Sequence, residues 1–300
     1  MRIVVTTPTG HVGNKLANIL LDRGNEITVI ARKPEKVKDL TSRGARVVQG
    51  EHGDAAVLGK AVEDADALFW VTPPNEESHD PLGDSIRFAD EGAKVIQKRP
   101  ELEVVQLSSI GAHLPNGTGP IEGLHATEER FRAVGKNVTS LRPNFFMENI
   151  LGSLPTIVGE GAIYMTIPGK TKAPQIATRD IAEIAADQLL ARRKGRHIVD
   201  ITGPRDITFD ETAQIIGSAA GKPVRITTVP GEAMKQGLKQ GGISEEMAEL
   251  FLEMEEALSN GLAHEFHGDE KLTGKTTYEQ FVKDVFLPAY QDAAKVARAS

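Results

Sequence analysis

The chain has 300 residues, of which 40% are hydrophobic and 26% charged, and its formal net charge is −7. This composition predicts one large globular α/β unit with a smaller lobe, and the negative charge argues against a nucleic-acid partner. The chain contains no cysteine, which excludes disulfides, thiolate metal sites and cysteine nucleophiles. Apolar runs are too short for a signal peptide or a bilayer span, so we expect a cytoplasmic protein without membrane contact.

Short apolar runs alternate with segments of helical periodicity through the first half of the chain. Strands are predicted at residues 3–6, 26–30, 46–49, 67–71, 104–107 and 138–141, and helices at 14–23 and 34–43. The strands are continuously apolar rather than alternating, which is typical of a parallel sheet covered by helices on both faces.

The first predicted strand leads into the first helix through the turn Thr6-Thr7-Pro8-Thr9-Gly10-His11-Val12-Gly13. Gly10 lets backbone N–H groups approach a pyrophosphate, Gly13 lets the helix pack closely on the strand, and the helix N-terminus adds partial positive charge. Thr7 stands where the usual motif has its first glycine. An ordinary strand–helix turn is the alternative, but the position favours dinucleotide binding by Thr7, Thr9, Gly10, His11, Val12 and Gly13.

The second predicted strand ends at Ala31-Arg32-Lys33. Proteins that prefer NAD carry an acidic residue here, which hydrogen-bonds the ribose hydroxyls. Two cations replace it in this chain, and both suit a 2′-phosphate. The pattern therefore favours NADP(H), with NAD(H) as the weaker choice. The alternative is that Arg32 and Lys33 only cap a helix or solvate a loop.

Two further strand ends are expected at the same crevice. Glu51 follows the third strand and is a candidate to bracket the adenine. Thr72 and Pro73 follow the fourth strand, which neighbours the first in the 3-2-1-4-5-6 order, so their loop should line the dinucleotide crevice. A plain loop is the alternative in both places.

The second half of the chain has a looser rhythm because glycine and proline interrupt it. Helices are predicted at 179–191, 209–220 and 244–258, and strands at 197–202 and 224–228. We therefore predict an α/β fold of the NAD(P)-binding Rossmann type, a mostly parallel doubly wound sheet with a smaller C-terminal α/β substrate lobe. Residues 1–150 would form the dinucleotide-binding domain and residues 151–300 the lobe, with residues 175–205 returning to the sheet.

Five segments of the chain carry a family resemblance. They are Thr6–Gly13, Ala31-Arg32-Lys33-Pro34, Leu107–Ala112, Leu141–Asn149, and Thr273-Gly274-Lys275 with Tyr278-Glu279-Gln280-Phe281. In these segments the chain resembles the NmrA-like group of atypical short-chain dehydrogenases/reductases, which includes quinone and triphenylmethane-dye reductases and redox-sensing regulators. The resemblance implies an NADP(H) or NAD(H) cofactor and a lobe that closes over the substrate. It also implies that Ser108 contacts cofactor or substrate, and that Pro143, Asn144 and Phe145 flank the nicotinamide.

The usual catalytic pair of short-chain dehydrogenases, Tyr-x-x-x-Lys, does not occur, because none of the three tyrosines has a lysine four residues later. In the helix expected to carry it, His125 takes roughly the place of the tyrosine. We predict that His125 donates a proton or hydrogen bond to the substrate oxygen, and that Glu129 orients it. Ser108 is the second catalytic candidate, with turn capping as its alternative.

Two features receive no catalytic role. His264 and His267 have a spacing that suits a metal, but no further ligand-spaced group accompanies them, so we interpret His264–Glu270 as a polar loop and predict no metal site. The apolar stripe in the helix at 244–258 is interpreted as lobe core, with a pocket lid as the alternative. Its members are Met247, Leu250, Phe251, Met254 and Leu258.

The sequence thus predicts an NADPH-dependent oxidoreductase that transfers a hydride to a small conjugated acceptor such as a quinone or dye. Such an acceptor delocalises the negative charge that hydride transfer creates, so its reduction does not require a well-placed proton donor. The alternative is a non-catalytic NADP(H)-binding redox sensor that acts through a regulatory protein partner, which the missing tyrosine favours. A natural-product reductase or isomerase is a third reading, and a homodimer is compatible with the sequence.

Overall fold

The computed structural model describes the backbone of residues 1–299 and the side chains of residues 1–297. The strands of this part of the chain are β1 (Arg2–Val5), β2 (Glu26–Ala31), β3 (Arg46–Gln49), β4 (Ala67–Val71), β5 (Glu103–Leu107), β6 (Asn137–Pro143), β7 (Ala162–Met165), β8 (Lys172–Pro174), β9 (Arg196–Thr202), β10 (Asp206–Thr208), β11 (Arg225–Thr228) and β12 (Glu270–Thr273).

The α-helices are α1 (His11–Asp22), α2 (Lys38–Ser42), α3 (Ala55–Val62), α4 (Pro81–Lys98), α5 (Ile121–Val134), α6 (Leu154–Glu160), α7 (Thr178–Ala191), α8 (Phe209–Ala220), α9 (Gly231–Gln240), α10 (Glu245–Ser259), α11 (Tyr278–Phe281) and α12 (Leu287–Ala299). Short 3₁₀ turns lie at Pro34–Val37, Met147–Ser153 and Leu262–His264, and a π-helical turn lies at Val282–Phe286. In the described part of the chain, no helix combines the length and apolar character needed to cross a membrane.

One sheet of eight parallel strands organises the molecule, in the order β3-β2-β1-β4-β5-β6-β9-β12. The predicted order and the mostly parallel α/β class are confirmed. Two strands from the second half of the chain, β9 and β12, extend the sheet beyond β6. The carboxyl ends of β1, β4, β5 and β6 therefore lie side by side, and that edge is where ligands bind in open α/β sheets.

Helices cover both faces of this sheet, as the continuous apolar strands require. On one face, Val5 and Val29 pack with Leu16 of α1 and Ile181 of α7. On the opposite face, the neighbouring residue Val4 belongs to a second cluster that also holds the fully buried Trp70. Because successive strand residues point to opposite faces, both layers are built from the same short strands.

A third apolar cluster forms the smaller lobe, and Ile163, Phe209 and Phe281 are among its buried members. Two small sheets support it: β7 pairs parallel with β11, and β8 pairs antiparallel with β10. The division at residue 150 stays a prediction.

Candidate active site

The turn between β1 and α1 is shaped by close approach of two backbone segments. A Cβ on Gly13 would clash with the carbonyl oxygen of Thr7, so glycine is required there. Thr7 adopts φ 49°, the left-handed conformation that glycine adopts most easily. Gly10 precedes the helix and donates its N–H to the Thr7 carbonyl at 3.0 Å. The first N–H groups of α1 have no acceptor within the helix, which suits a phosphate.

A cavity of about 650 Å³ opens at this turn. It brings together most of the side chains predicted to bind the cofactor, and its size suits a large ligand. The predicted residues that line it are Thr7, Thr9, Gly10, His11, Val12, Gly13, Arg32, Lys33, Glu51 and Pro73. We call it the cofactor cavity.

Arg32 and Lys33 stand exposed at the rim of the cofactor cavity, beyond the end of β2. The Arg32 guanidinium lies 4.0 Å from a carboxylate oxygen of Glu51, and both side chains are largely exposed. An exposed ion pair of this length contributes little to stability. Arg32 can therefore exchange its contact with Glu51 for one with a more highly charged anion, at a small cost in free energy.

His52 also lines the cofactor cavity, a role that was not predicted from the sequence. Its Nε2 lies 2.8 Å from the carbonyl oxygen of Val71, and its ring packs edge-on against Trp70 and Phe88. Burial lowers the pKa of His52 to about 4. The neutral ring thus donates to Val71 and joins the loops that follow β3 and β4.

A second cavity, of about 330 Å³, adjoins the first at Val71, Pro74, Leu107 and Phe146. We call it the substrate cavity. It lies at the carboxyl ends of β4, β5 and β6, and its lining is mostly apolar.

The whole α10 stripe lines the substrate cavity. Leu258 belongs to the buried core of the lobe and Met254 packs against that core, so part of the stripe is lobe core, as expected, and the stripe also forms a wall of the cavity. The side chains of the stripe are Met247, Leu250, Phe251, Met254 and Leu258.

Ser108 lines the substrate cavity, and its hydroxyl takes part in a buried hydrogen-bond network. It donates to Glu128 Oε1 at 2.6 Å, and Arg142 donates to the same carboxylate from Nε at 2.9 Å and from its terminal nitrogen at 2.6 Å. All three residues are buried. Because the one hydroxyl hydrogen of Ser108 is directed at Glu128, its oxygen faces the cavity as an acceptor. Sequence reasoning missed both partners.

Thr72 has a similar arrangement on the neighbouring strand end. Its Oγ1 accepts from Trp70 Nε1 at 2.8 Å and lies 3.2 Å from the hydroxyl of Thr127, which itself donates to the Gly123 carbonyl at 2.8 Å. The Thr72 hydroxyl hydrogen is therefore directed at Thr127. Thr72 lines the substrate cavity rather than the cofactor cavity.

The Pro143-Asn144-Phe145 segment is only partly available to a ligand. Pro143 is buried as the last residue of β6 and is not among the residues lining either cavity. The Asn144 amide donates to the Ala263 carbonyl at 2.6 Å and accepts from the Phe145 N–H at 2.9 Å, which fixes the start of the lobe. Asn144 and Phe145 both line the substrate cavity.

His125 is held outside both cavities. Its Nδ1 lies 2.9 Å from the carbonyl oxygen of Ala112, and neither cavity includes it in its lining. Glu129 is exposed, so the partner that orients the ring is the Ala112 carbonyl and not Glu129.

No tyrosine lines the substrate cavity among the described residues. Burial raises the pKa of Tyr278, which lies deep in the lobe.

Family models match the sequence over most of its length. A model described as NAD(P)H-binding matches residues 8–192, and the model of the NmrA-like family matches residues 122–282. The NAD(P)H azoreductase of Xenophilus azovorans is 26% identical over 284 residues, covering 94% of this chain and 96% of that protein. Quinone oxidoreductase 2 of Escherichia coli (strain K12) is 22% identical, covering 86% and 88%.

Solved structures share the fold. The Citrobacter sp. triphenylmethane reductase complexed with NADP(H) superposes with a TM-score of 0.73 at 22% identity, covering 97% of this chain and 99% of that one. The E. coli NADPH-dependent quinone oxidoreductase complexed with NADPH gives a TM-score of 0.75 at 20% identity, covering 95% and 100%. Since each of the two family models covers more than half of the sequence, the chain belongs to the NmrA-like family of NAD(P)H-binding proteins.

Proposed function

We propose that this protein is an NADPH-dependent reductase that transfers a hydride to a small conjugated acceptor, such as a quinone or an azo or triphenylmethane dye. The observation that carries the proposal is the junction of two cavities. A large cavity at the glycine turn between β1 and α1, with Arg32 and Lys33 in its lining, adjoins a smaller, mostly apolar cavity at Val71, Pro74, Leu107 and Phe146. An acceptor in the second would lie beside a dinucleotide in the first.

The cofactor cavity fits a dinucleotide that carries a 2′-phosphate. The turn residues Thr7–Gly13 would hold the pyrophosphate, and Arg32 and Lys33 would contact the 2′-phosphate. Glu51 would flank the adenosine end, where His52 fixes the adjoining loops. Bound NADPH supplies the hydride.

The substrate cavity favours a conjugated acceptor over an isolated ketone. An isolated ketone needs a donor at its oxygen as negative charge develops, and neither donor expected from the sequence is available: the Ser108 hydrogen is directed at Glu128, and His125 lies outside the cavity. A quinone spreads this charge over its ring and takes its proton from solvent, so that quinone, NADPH and one proton give hydroquinone and NADP⁺. Ser108 would then accept a hydrogen bond from a donor group of the cofactor or the bound acceptor.

The relatives support the same class of reaction. An azoreductase and a quinone oxidoreductase align with nearly the whole chain, and a triphenylmethane reductase shares its fold. The relatives give no support to the alternative of a non-catalytic sensor. The cytoplasmic location, the homodimer and the regulatory partner expected from the sequence stay predictions.

Steady-state oxidation of NADPH with a panel of quinones, azo dyes and triphenylmethane dyes tests the proposal. We expect turnover with at least one acceptor, and a lower kcat/KM with NADH. Isolated aliphatic ketones serve as the matched negative panel. Saturable NADPH binding without turnover of any conjugated acceptor would contradict the proposal.

A further inference from the structure

Three potential metal ligands meet at the surface between the β5–α5 connection and the segment that precedes β12. His113 Nε2 lies 3.2 Å from Glu265 Oε2, and the His113 and His267 rings are 4.0 Å apart at their centres. One ligand atom from each residue lies within 4.8 Å of the other two. Among the described residues, no other group of three His, Asp or Glu side chains meets this criterion.

No metal site was predicted from the sequence, because no further ligand-spaced group accompanies His264 and His267 in the chain. In the structure, a ligand from a distant part of the chain lies beside His267. His264 does not take part, because its Nε2 lies 3.0 Å from Asp206 Oδ2. The third ligand comes instead from His113, which is 152 residues away from Glu265 in the chain. Spacing within the His264–Glu270 segment could not reveal such a partner.

The donor set and its surroundings suit a transition-metal ion. Two imidazoles and one carboxylate are ligands that Zn²⁺ accepts, and a three-residue site leaves a fourth position for water. His113 is mostly enclosed, and its Nδ1 is buried without a hydrogen-bond partner. Glu265 is thus the hydrogen-bond partner of the His113 ring, and an ion bound at Nε2 would replace that single contact without breaking a buried network.

The spacing of the three side chains requires little movement. Two ligands of one tetrahedral zinc ion lie roughly 3.4 Å apart when their bonds are of ordinary length. Glu265 and His267 are exposed, so small rotations about their side-chain bonds can close the remaining gap to His113. The Glu265 carboxylate also supplies negative charge to the ion.

We propose that His113, Glu265 and His267 form a binding site for a divalent transition-metal ion of the Zn²⁺ class. A bound ion would tie the loop that follows Ser108 to the segment whose Ala263 carbonyl receives the Asn144 amide. Ser109 and Ile110 of that loop line the substrate cavity. The ion therefore restrains the lobe against the sheet domain, and this role does not depend on which acceptor the enzyme reduces.

Calorimetric titration of the untagged, chelator-treated protein with ZnCl₂ tests the proposal. We expect saturable binding of one ion per chain, weakened by about tenfold or more in each of His113→Ala, Glu265→Gln and His267→Ala. His79→Ala is the matched control, because His79 contacts a single carboxylate, Glu246, at 3.1 Å. We expect its titration to equal that of the wild type.

Two results would overturn the metal site. One is the absence of one-to-one binding at zinc concentrations up to about 100 µM, which corresponds to a binding free energy too small for a specific site. The other is unchanged binding in the variant that combines Glu265→Gln with His267→Ala. Both of these side chains are exposed, so that variant folds even if His113→Ala does not, and circular dichroism confirms it.

Discussion

The Ser108 hydroxyl donates to Glu128 across 2.6 Å, inside a buried network that Arg142 completes. This relationship fixes the character of Ser108 at the substrate cavity as a hydrogen-bond acceptor. Glu128 therefore has two roles: it pairs with the buried Arg142, which stabilises the fold, and it positions Ser108 at the substrate cavity.

Glu128→Gln should destabilise the protein strongly. The substitution removes the negative partner of a buried Arg142, and breaking a buried ion pair in this way costs roughly 3–5 kcal/mol. Urea unfolding measures the change. Glu101→Gln is the control, because the Glu101–Lys136 pair is exposed and its loss should hardly change the free energy of unfolding. Equal effects of the two substitutions would show that the buried Glu128–Arg142 pair contributes no more to stability than the exposed Glu101–Lys136 pair.

Gly13→Ala should abolish or severely weaken NADPH binding. The new Cβ would press against the Thr7 carbonyl and push α1 away from the turn. We expect the Kd for NADPH to rise by about tenfold or more, an effect of order 1.4 kcal/mol or above. Fluorescence energy transfer from Trp70, the one tryptophan of the chain, reports the binding.

The control for Gly13→Ala is Gly59→Ala in α3. A Cβ on Gly59 meets nothing within 4 Å, so alanine should leave NADPH binding intact and stabilise the helix by about 1 kcal/mol. If Gly13→Ala bound NADPH like the wild type, the turn would not be the phosphate site.

Arg32→Glu should reverse the cofactor preference. A carboxylate at this rim position repels a 2′-phosphate and can hydrogen-bond ribose hydroxyls. We expect kcat/KM for NADPH to fall by about 10- to 100-fold while that for NADH changes little. Lys60→Glu alters the net charge equally but lies away from both cavities, and it should change neither value. Equal loss with both cofactors would remove the assignment of Arg32.

His52 should make stability depend on pH between its folded pKa of about 4 and its ordinary pKa of 6.5. Burial favours the neutral ring, so the unfolded chain binds the extra proton in this window. The contribution is fully present above 6.5 and is lost as the pH falls towards 4, amounting to about 3 kcal/mol.

The measurement for His52 is the free energy of urea unfolding between pH 4 and 7, for the wild type and His52→Gln. Glu103, whose pKa burial raises to about 7, titrates in the same window with the opposite sign, so the difference between the two proteins is the quantity to plot. We expect this difference to rise with pH. A flat difference would mean that His52 is not buried as a neutral ring.

The strand order of the sheet was predictable because local sequence patterns indicate it. Continuous apolar strands and the glycine turn at Gly10 and Gly13 predicted the order of the first six strands and the parallel pairing, which the structure confirms. The helix α4 was missed, although Asp80 and Pro81 give its start the usual signals of an N-terminus.

The site was less predictable because its polar contacts join distant parts of the chain. Glu128 reaches Arg142 and Ser108 from a separate helix, and His52 reaches Val71 from another loop. Such pairs leave no periodic signal. The position of His125 in the helix suggested a proton donor, but the Ala112 carbonyl that holds its ring could not be read from spacing.

The most direct test of the central claim follows the hydride itself. The protein is incubated with a triphenylmethane dye and NADPH deuterated at C4, using each of the two stereoisomers in turn, and the reduced dye is analysed by mass spectrometry. We predict that the dye carries deuterium at its central carbon with one stereoisomer and not with the other. Reduced dye that lacks deuterium with both stereoisomers would contradict direct transfer from the cofactor cavity to the substrate cavity.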